Sequence, residues 1–221
     1  MVIKMKYRLV IFDLDGTLLD TLDDLTEAVN HALGRQGFPL RAREEVRRLI
    51  GNGIASTMRR AIPEGCDDDV FQRALSDFKD YYLSHVNVHT RPYNGIPELL
   101  DAMDSVGIQA AVNSNKVESA TQALCRAHLS GKLACILGEQ PDIPKKPAPD
   151  GALQIMQTLD AKPDGTLYVG DGETDIQTAV NAGIDCAWVS WGYRKASELG
   201  GLAVPHAFAT VQSLQAYILG N

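Results

Sequence analysis

The sequence predicts an α/β protein in which a parallel sheet covered by helices is interrupted, after its first strand, by an all-helical insert. Three observations carry this. Leu9 to Phe12 is continuously apolar and runs into turn chemistry, the pattern of a strand buried on both faces. From Pro92 onward, short apolar runs alternate with helical periodicity, which implies parallel strands joined by right-handed crossovers. Between these, from about Asp20 to Thr90, no run alternates like a strand. The expected division is a core of residues 1–19 and 91–221 around a helical unit of residues 20–90.

The elements follow in order. The first strand ends in Asp13-Leu14-Asp15-Gly16-Thr17, where the glycine permits a sharp turn. Thr21 with Asp24 three positions on reads as a capping box, and Leu22, Leu25, Val29 and Leu33 follow at helical spacing. Gly34, Gly37 and Pro39 end that helix. A charged helix over Ala42 to Ile50 stops at Gly51-Asn52-Gly53, and another over Ile54 to Ile62 stops at Pro63-Glu64-Gly65. Asp67, Asp68 and Asp69 suit the positive end of a long helix carrying Val70, Ala74, Phe78, Tyr81 and Val86. In the second half, helices are expected over Ile96–Val106, Val117–Leu129, Gly151–Leu159 and Ile176–Ala182. Strands are expected over Ile108–Val112, Cys135–Leu137, Thr166–Val169 and Cys186–Val189.

Whole-chain quantities narrow the function. The 221 residues carry a net charge of -7 and a pI near 5.2, which argues against a nucleic-acid or anionic-membrane surface. An anionic small substrate then needs local positive charge, from a metal and a few lysines. Cys66, Cys125, Cys135 and Cys186 form no Cys-x-x-Cys pair and read as free thiols in a reducing compartment. No secretory signal core and no membrane-length apolar run is seen, so a cytoplasmic location is expected.

Polar clusters at 13–17, 113–116 and 170–175 all fall at the carboxyl ends of expected strands, where open parallel sheets bind ligands. Carboxylates placed there are costly unless they hold a cation or do chemistry. Asp13, Asp15, Asp171 and Asp175 are hard oxygen donors of the kind magnesium takes, and no His/Cys spacing suggests zinc. One carboxylate can attack phosphorus while the other, two residues on, gives and takes the proton. Ser114 or Asn115 can donate hydrogen bonds to phosphoryl oxygens, and Lys146 can supply a cation.

Asp13-Leu14-Asp15-Gly16-Thr17, Ser114 ending its strand, Lys146 in Lys-Pro-Ala-Pro-Asp, and Gly170-Asp171 with Asp175 together resemble the haloacid dehalogenase superfamily. The resemblance spans about residues 7 to 190 and implies a Rossmann-like core with an inserted C1-type helical cap. It implies Asp13 as nucleophile and Asp15 as acid and base. It implies magnesium on Asp13, the Asp15 carbonyl and Asp171, with Asp175 as a supporter of the metal site or an occasional ligand. Ser114 would bind the phosphoryl group, and Lys146 would balance its charge.

Gly51-Asn52-Gly53 resembles the cap loop of phosphoglycolate phosphatase-like members, as Tyr93 to Leu100 resembles their return segment. Substrate contacts are expected from Thr17, Gly51, Asn52, Gly53, Ser114, Asn115 and Lys146. The implied partner is a small phosphorylated metabolite, with phosphoglycolate leading over sugar phosphates, pyrophosphate and nucleotides. A phosphomutase is the rival enzyme, and a phosphate-binding protein without turnover is the rival from another class. A monomer or homodimer is expected.

Bland roles are expected for the rest: Lys116 in a first helical turn, the cap arginines on a solvated face, the five histidines as structural. Trp188, Trp191 and Tyr193 are expected to pack the sheet edge.

Overall fold

In the computed structural model, which describes residues 5–129, 131–204 and 206–220, the chain forms two compact units. One comprises Met1–Leu19 with Pro92–Asn221, the other Asp20–Arg91.

The larger unit is built on a parallel sheet of six strands in the order β5-β4-β1-β6-β7-β8. These are β1 Leu9–Phe12, β4 Gln109–Val117, β5 Cys135–Glu139, β6 Thr166–Gly170, β7 Asp185–Val189 and β8 Ala207–Phe208. Two further short strands, β2 Leu19–Asp20 and β3 Arg91–Pro92, lie where the units join in sequence. β1 occupies the middle, paired with β4 on one side (Phe12 opposite Val112) and β6 on the other (Phe12 opposite Val169). All four residues of β1 are fully buried, which explains why its sequence is apolar without alternation.

The crossovers are α5 Ile96–Ser105, α6 Glu118–His128, α7 Asp150–Thr158 and α8 Glu173–Ala182. Beyond Val189, where no further strand or helix is expected, the chain adds β8 and α9 Val211–Leu219. Thr210 caps that helix by accepting from the Ser213 N–H, and Val211, Leu214 and Ile218 are buried.

The smaller unit holds α1 Leu22–Arg35, α2 Arg43–Leu49, α3 Gly53–Ala61 and α4 Asp68–Ser84. Its interior includes Val29, Leu33, Val46, Met58, Phe71, Phe78 and Tyr82. Asp67 caps α4 by accepting from Val70 N–H at 2.8 Å. The expected capping box at Thr21 does not form: the Thr21 side chain makes no cap hydrogen bond. Asp24 instead turns inward, 2% exposed, and accepts from the N–H groups of Val88, His89 and Thr90 and from the Thr90 hydroxyl at 2.6–3.2 Å. A buried carboxylate satisfied by four donors ties the two ends of the unit together.

β4 also differs from expectation. It continues past Val112 to Val117, with an irregularity in its pairing to β5 between Asn113 and Val117. Ser114 and Lys116 are therefore strand residues.

Candidate active site

The site lies at the carboxyl ends of β1, β4 and β6, and the local sequence explains how each group arrives there. The ladder bond from Asp13 N–H to the Val169 carbonyl (2.9 Å) carries β1 one residue beyond Phe12. The Asp13 carboxylate then accepts from Leu14 N–H at 2.7 Å as the chain turns. Gly16 makes the turn possible with φ of 85°; its N–H donates to the Leu19 carbonyl, and the N–H groups of Thr17, Leu18 and Leu19 donate to the Leu14 carbonyl to close it. A side chain at Gly16 would also run into the Asp171 carboxylate, its Cβ 2.7 Å from Oδ2.

Asp13, Asp171 and Asp175 converge so that one carboxylate oxygen of each lies within 4.8 Å of the others. Lys146 joins them, its ammonium 2.8 Å from Asp13 Oδ1 and 2.7 Å from Asp175 Oδ1, with the side chain only 4% exposed. The adjacent Lys145 is half-exposed and pairs with Glu139 at 2.7 Å. Asp175 Oδ2 accepts from Gly172 N–H at 3.0 Å at the start of α8, so both its oxygens are engaged. Gly170 has no alternative here, because a Cβ on it would lie 2.2 Å from Asp175 Cγ.

The electrostatics follow from the charge count. Three carboxylates and one ammonium leave two uncompensated negative charges in a largely dry site. Burial, opposed by Lys146 and reinforced by Asp175 and Asp171, pushes the Asp13 carboxyl up to about 8. Burial and then Asp175 push Asp171 up to about 7. Lys146 rises well above the usual lysine range: burial works against its charge, but Asp13 and Asp175 outweigh it. An all-oxygen donor set with two negative charges in excess fits a hard divalent cation, so the residues present suit magnesium.

Asp15 does not share this cluster of charges. Its carboxylate is held by Lys116, whose ammonium donates to Oδ1 at 2.7 Å and Oδ2 at 2.9 Å. Lys116 was expected to sit in a first helical turn; the structure buries it on β4 instead. The signal was available, since residues two apart on a strand share a face and Lys116 follows Ser114 by two. Reading β4 as ending at Val112 hid it.

The remaining site residues divide by what their side chains touch. Ser114 is buried, and its Oγ accepts from Lys116 N–H at 3.2 Å, which leaves the hydroxyl hydrogen to donate. Two residues expected to contact substrate are committed elsewhere. The Asn115 amide bonds both backbone groups of Lys146, accepting from its N–H (2.9 Å) and donating to its carbonyl (3.0 Å). It therefore places Lys146. Thr17, fully buried, donates its hydroxyl to Asp171 Oδ1 at 3.2 Å. Gly51, Asn52 and Gly53 belong to the smaller unit, where they take three successive left-handed conformations (φ 117°, 59° and 82°). Arg60 fixes the loop by donating to the Gly51 carbonyl at 2.8 Å.

The end of β7 and the segment after it are expected to pack the sheet edge, and they do more. Trp188 donates its indole N–H to the Asp171 carbonyl (2.7 Å), Tyr193 N–H donates to Asp171 Oδ2 (2.6 Å), and Trp191 donates to the Thr17 carbonyl (3.1 Å). Gly192 lets this strap pass, since a Cβ there would lie 2.3 Å from the Gly16 carbonyl oxygen and 2.4 Å from Asp171 Cβ. Neither neighbour is a flexible tip that could move aside. Gly192→Ala is therefore expected to cost about 1–3 kcal/mol and to weaken divalent-cation binding by shifting Asp171. Thermal melts with and without magnesium check both, and an unchanged cation response would detach the strap from the site.

Asp24, Glu27 and His89 form a second acidic cluster, in the smaller unit. The four donors already on Asp24 account for it as a structural tie.

The model of the family described as haloacid dehalogenase-like hydrolase matches residues 10–189 of this chain. The chain belongs to that family. Relatives of this haloacid dehalogenase-like hydrolase include phosphoglycolate phosphatases from Aquifex aeolicus and Pseudomonas putida. The first is 33% identical over 189 residues, covering 85% of this chain and 87% of the relative. The second is 35% identical over 192 residues, covering 84% and 70%. A crystal structure from Lactobacillus delbrueckii subsp. bulgaricus, 34% identical, matches with a TM-score of 0.94 over 98% of this chain and all of that one. Another, of a predicted phosphoglycolate phosphatase from Haemophilus somnus, is 27% identical with a TM-score of 0.89 over 96% and 98%. Among the described residues no helix is long and apolar enough to cross a membrane.

Proposed function

We propose that this hydrolase is a magnesium-dependent phosphatase that cleaves a small phosphomonoester, phosphoglycolate first among the candidates, through an aspartyl-phosphate on Asp13. One observation carries the reading: Asp13 joins the buried Asp171 and Asp175 in a cluster of three carboxylates with a single ammonium, Lys146. Such a cluster is poorly compensated until a divalent cation and an anionic group enter together.

Each residue then has work that its contacts support. Leu14 N–H and Lys146 both engage Asp13 Oδ1, leaving Oδ2 to attack phosphorus. As the phosphorus–alcohol bond breaks, the departing oxygen takes a proton from Asp15. Water next attacks phosphorus and gives up a proton to Asp15, and the bond to Asp13 breaks to free phosphate. Ser114 donates to a phosphoryl oxygen, and Lys146 offsets the charge on the transferred group. Asn115, Thr17 and Asp175 keep Lys146 and Asp171 in place. Asp13, the Asp15 carbonyl and Asp171 would hold magnesium, which when bound neutralises negative charge on the phosphoryl group. The helical unit of residues 20–90 serves as a cap that excludes water and selects the leaving group, with Gly51-Asn52-Gly53 as its substrate loop.

The substrate choice draws on the relatives named phosphoglycolate phosphatase. Phosphate release from a panel of phosphoglycolate, sugar phosphates, nucleoside monophosphates and pyrophosphate, with magnesium and with chelator, tests the proposal. The expected result is magnesium-dependent release, fastest from phosphoglycolate. Isomerised sugar phosphate without free phosphate would replace hydrolysis with mutase chemistry, and no release from any substrate would leave only a binding protein.

A further inference from the structure

Lys116 is a buried charge to which the proposed reaction gives no part. Its side chain is 2% exposed, and its ammonium donates to both oxygens of one carboxylate, that of Asp15, at 2.7 and 2.9 Å. Withdrawing a lysine head group from water is costly unless it is paired, and removing one member of a buried pair costs more than the pair contributes. The backbone beneath it is fixed too. Lys116 N–H donates to Ser114 Oγ (3.2 Å), and its carbonyl accepts from the Thr121 hydroxyl (3.1 Å) at the start of α6.

We infer that Lys116 is a positioning residue for the reaction: it holds the Asp15 carboxylate in one orientation, ready to exchange protons with the leaving oxygen and then with water. An aspartate in a turn beyond a strand end has several staggered side-chain wells open to it, whereas a two-point grip from a buried ammonium selects one. Proton transfer demands placement of that kind, and a misplacement of about 1 Å can cost on the order of a hundred-fold in rate. The same strand thereby positions two groups: Ser114 toward the phosphoryl oxygens and, through Lys116, the acid and base. Lys116 acts through Asp15. The inference rests on the reading of Asp15 as acid and base.

A mutant cycle on the full chain separates this from a structural role. Asp15→Asn is expected to lower kcat about 10²- to 10⁴-fold. Lys116→Met is expected to lower kcat about ten- to a hundred-fold, with KM for the best phosphomonoester changing less than about two-fold. Added to Asp15→Asn, it should cost nothing further, since no proton-exchanging group remains to be placed. Because Lys116→Met strands a largely enclosed carboxylate, Lys116→Gln is measured alongside; it still donates one hydrogen bond, and its kcat should fall between wild type and Lys116→Met. An equal fractional loss in both backgrounds would overturn the inference in favour of general structural support. A raised KM at unchanged kcat would overturn it in favour of a substrate contact. Wild-type activity in Asp15→Asn would remove the acid/base reading and this inference with it. Loss in Asp15→Asn but not in Lys116→Met would remove this inference alone.

Discussion

Asp13→Asn is expected to abolish turnover, lowering kcat by about four orders of magnitude or more, while the protein stays folded. An amide is a poor nucleophile toward phosphorus, so the loss falls on the chemical step. The fold should survive because asparagine keeps the shape and retains an oxygen for the Leu14 N–H and Lys146 contacts, both of which fall on Oδ1. Stability should move the other way. Removing one of three crowded carboxylates relieves repulsion, so without divalent cation near pH 8 the variant should melt higher than wild type by an amount worth about 1 kcal/mol. Phosphate release, thermal melts and acid-quenched mass spectrometry check the set. Wild type should trap a phosphoryl group and the variant none. Residual turnover near wild type, or a phosphoryl group on the variant, would refute Asp13 as nucleophile.

What was legible in the sequence was whatever depends on local pattern. Asp13, Asp15 and Asp171 announce themselves because polar clusters ending apolar runs can lie only at the carboxyl edge of a parallel sheet. The helical unit was legible because about seventy residues show no strand alternation, and the two compact units divide at Leu19/Asp20 and Arg91/Pro92. What was not legible depends on partners distant in sequence. Lys116 meets Asp15 across 101 positions, and Tyr193 N–H meets Asp171 across 22. Asn115 has the chemistry of a phosphate ligand, and only the path of the loop at Lys146, 31 residues on, shows that its amide is already taken. Asp24 matched a helix-start pattern, but a backbone segment more than sixty residues away out-competed the local bond. Local pattern thus located the carboxylates, while the groups that orient them came from chain crossings that no window of sequence contains.

Lys146→Met carries the second large effect, on activity and stability together. Methionine fills nearly the same space but leaves Asp13 and Asp175 facing each other without the ammonium that bridges them at 2.8 and 2.7 Å. Breaking a buried pair from one side costs about 3–5 kcal/mol, a fall in Tm of roughly 10 °C for a chain of this size. The cost must depend on pH, and its sign can be worked out. Asp13 and Asp171 have folded-state values near 8 and 7, above the 3.8 of an ordinary aspartate, so the folded state holds more protons than the unfolded one between those limits. Their contribution is complete below about pH 4 and is lost as pH rises through 7 and 8. Metal-free wild type should therefore weaken from pH 5 to pH 8.5. Without Lys146, which lowers Asp13, the carboxyls hold protons to still higher pH, and the deficit relative to wild type should be small in acid and greatest above pH 8. Activity should fall about 10²- to 10³-fold even with saturating magnesium, because a preorganised charge facing the phosphoryl group is gone. Lys146→Arg should rescue little, since a planar fork cannot take the place of a compact ammonium held between two carboxylates. Melts at pH 5, 7 and 8.5 without divalent cation, paired with phosphate-release rates, decide the matter: a deficit independent of pH, or unimpaired turnover, would mean that Lys146 fills space and does not balance charge.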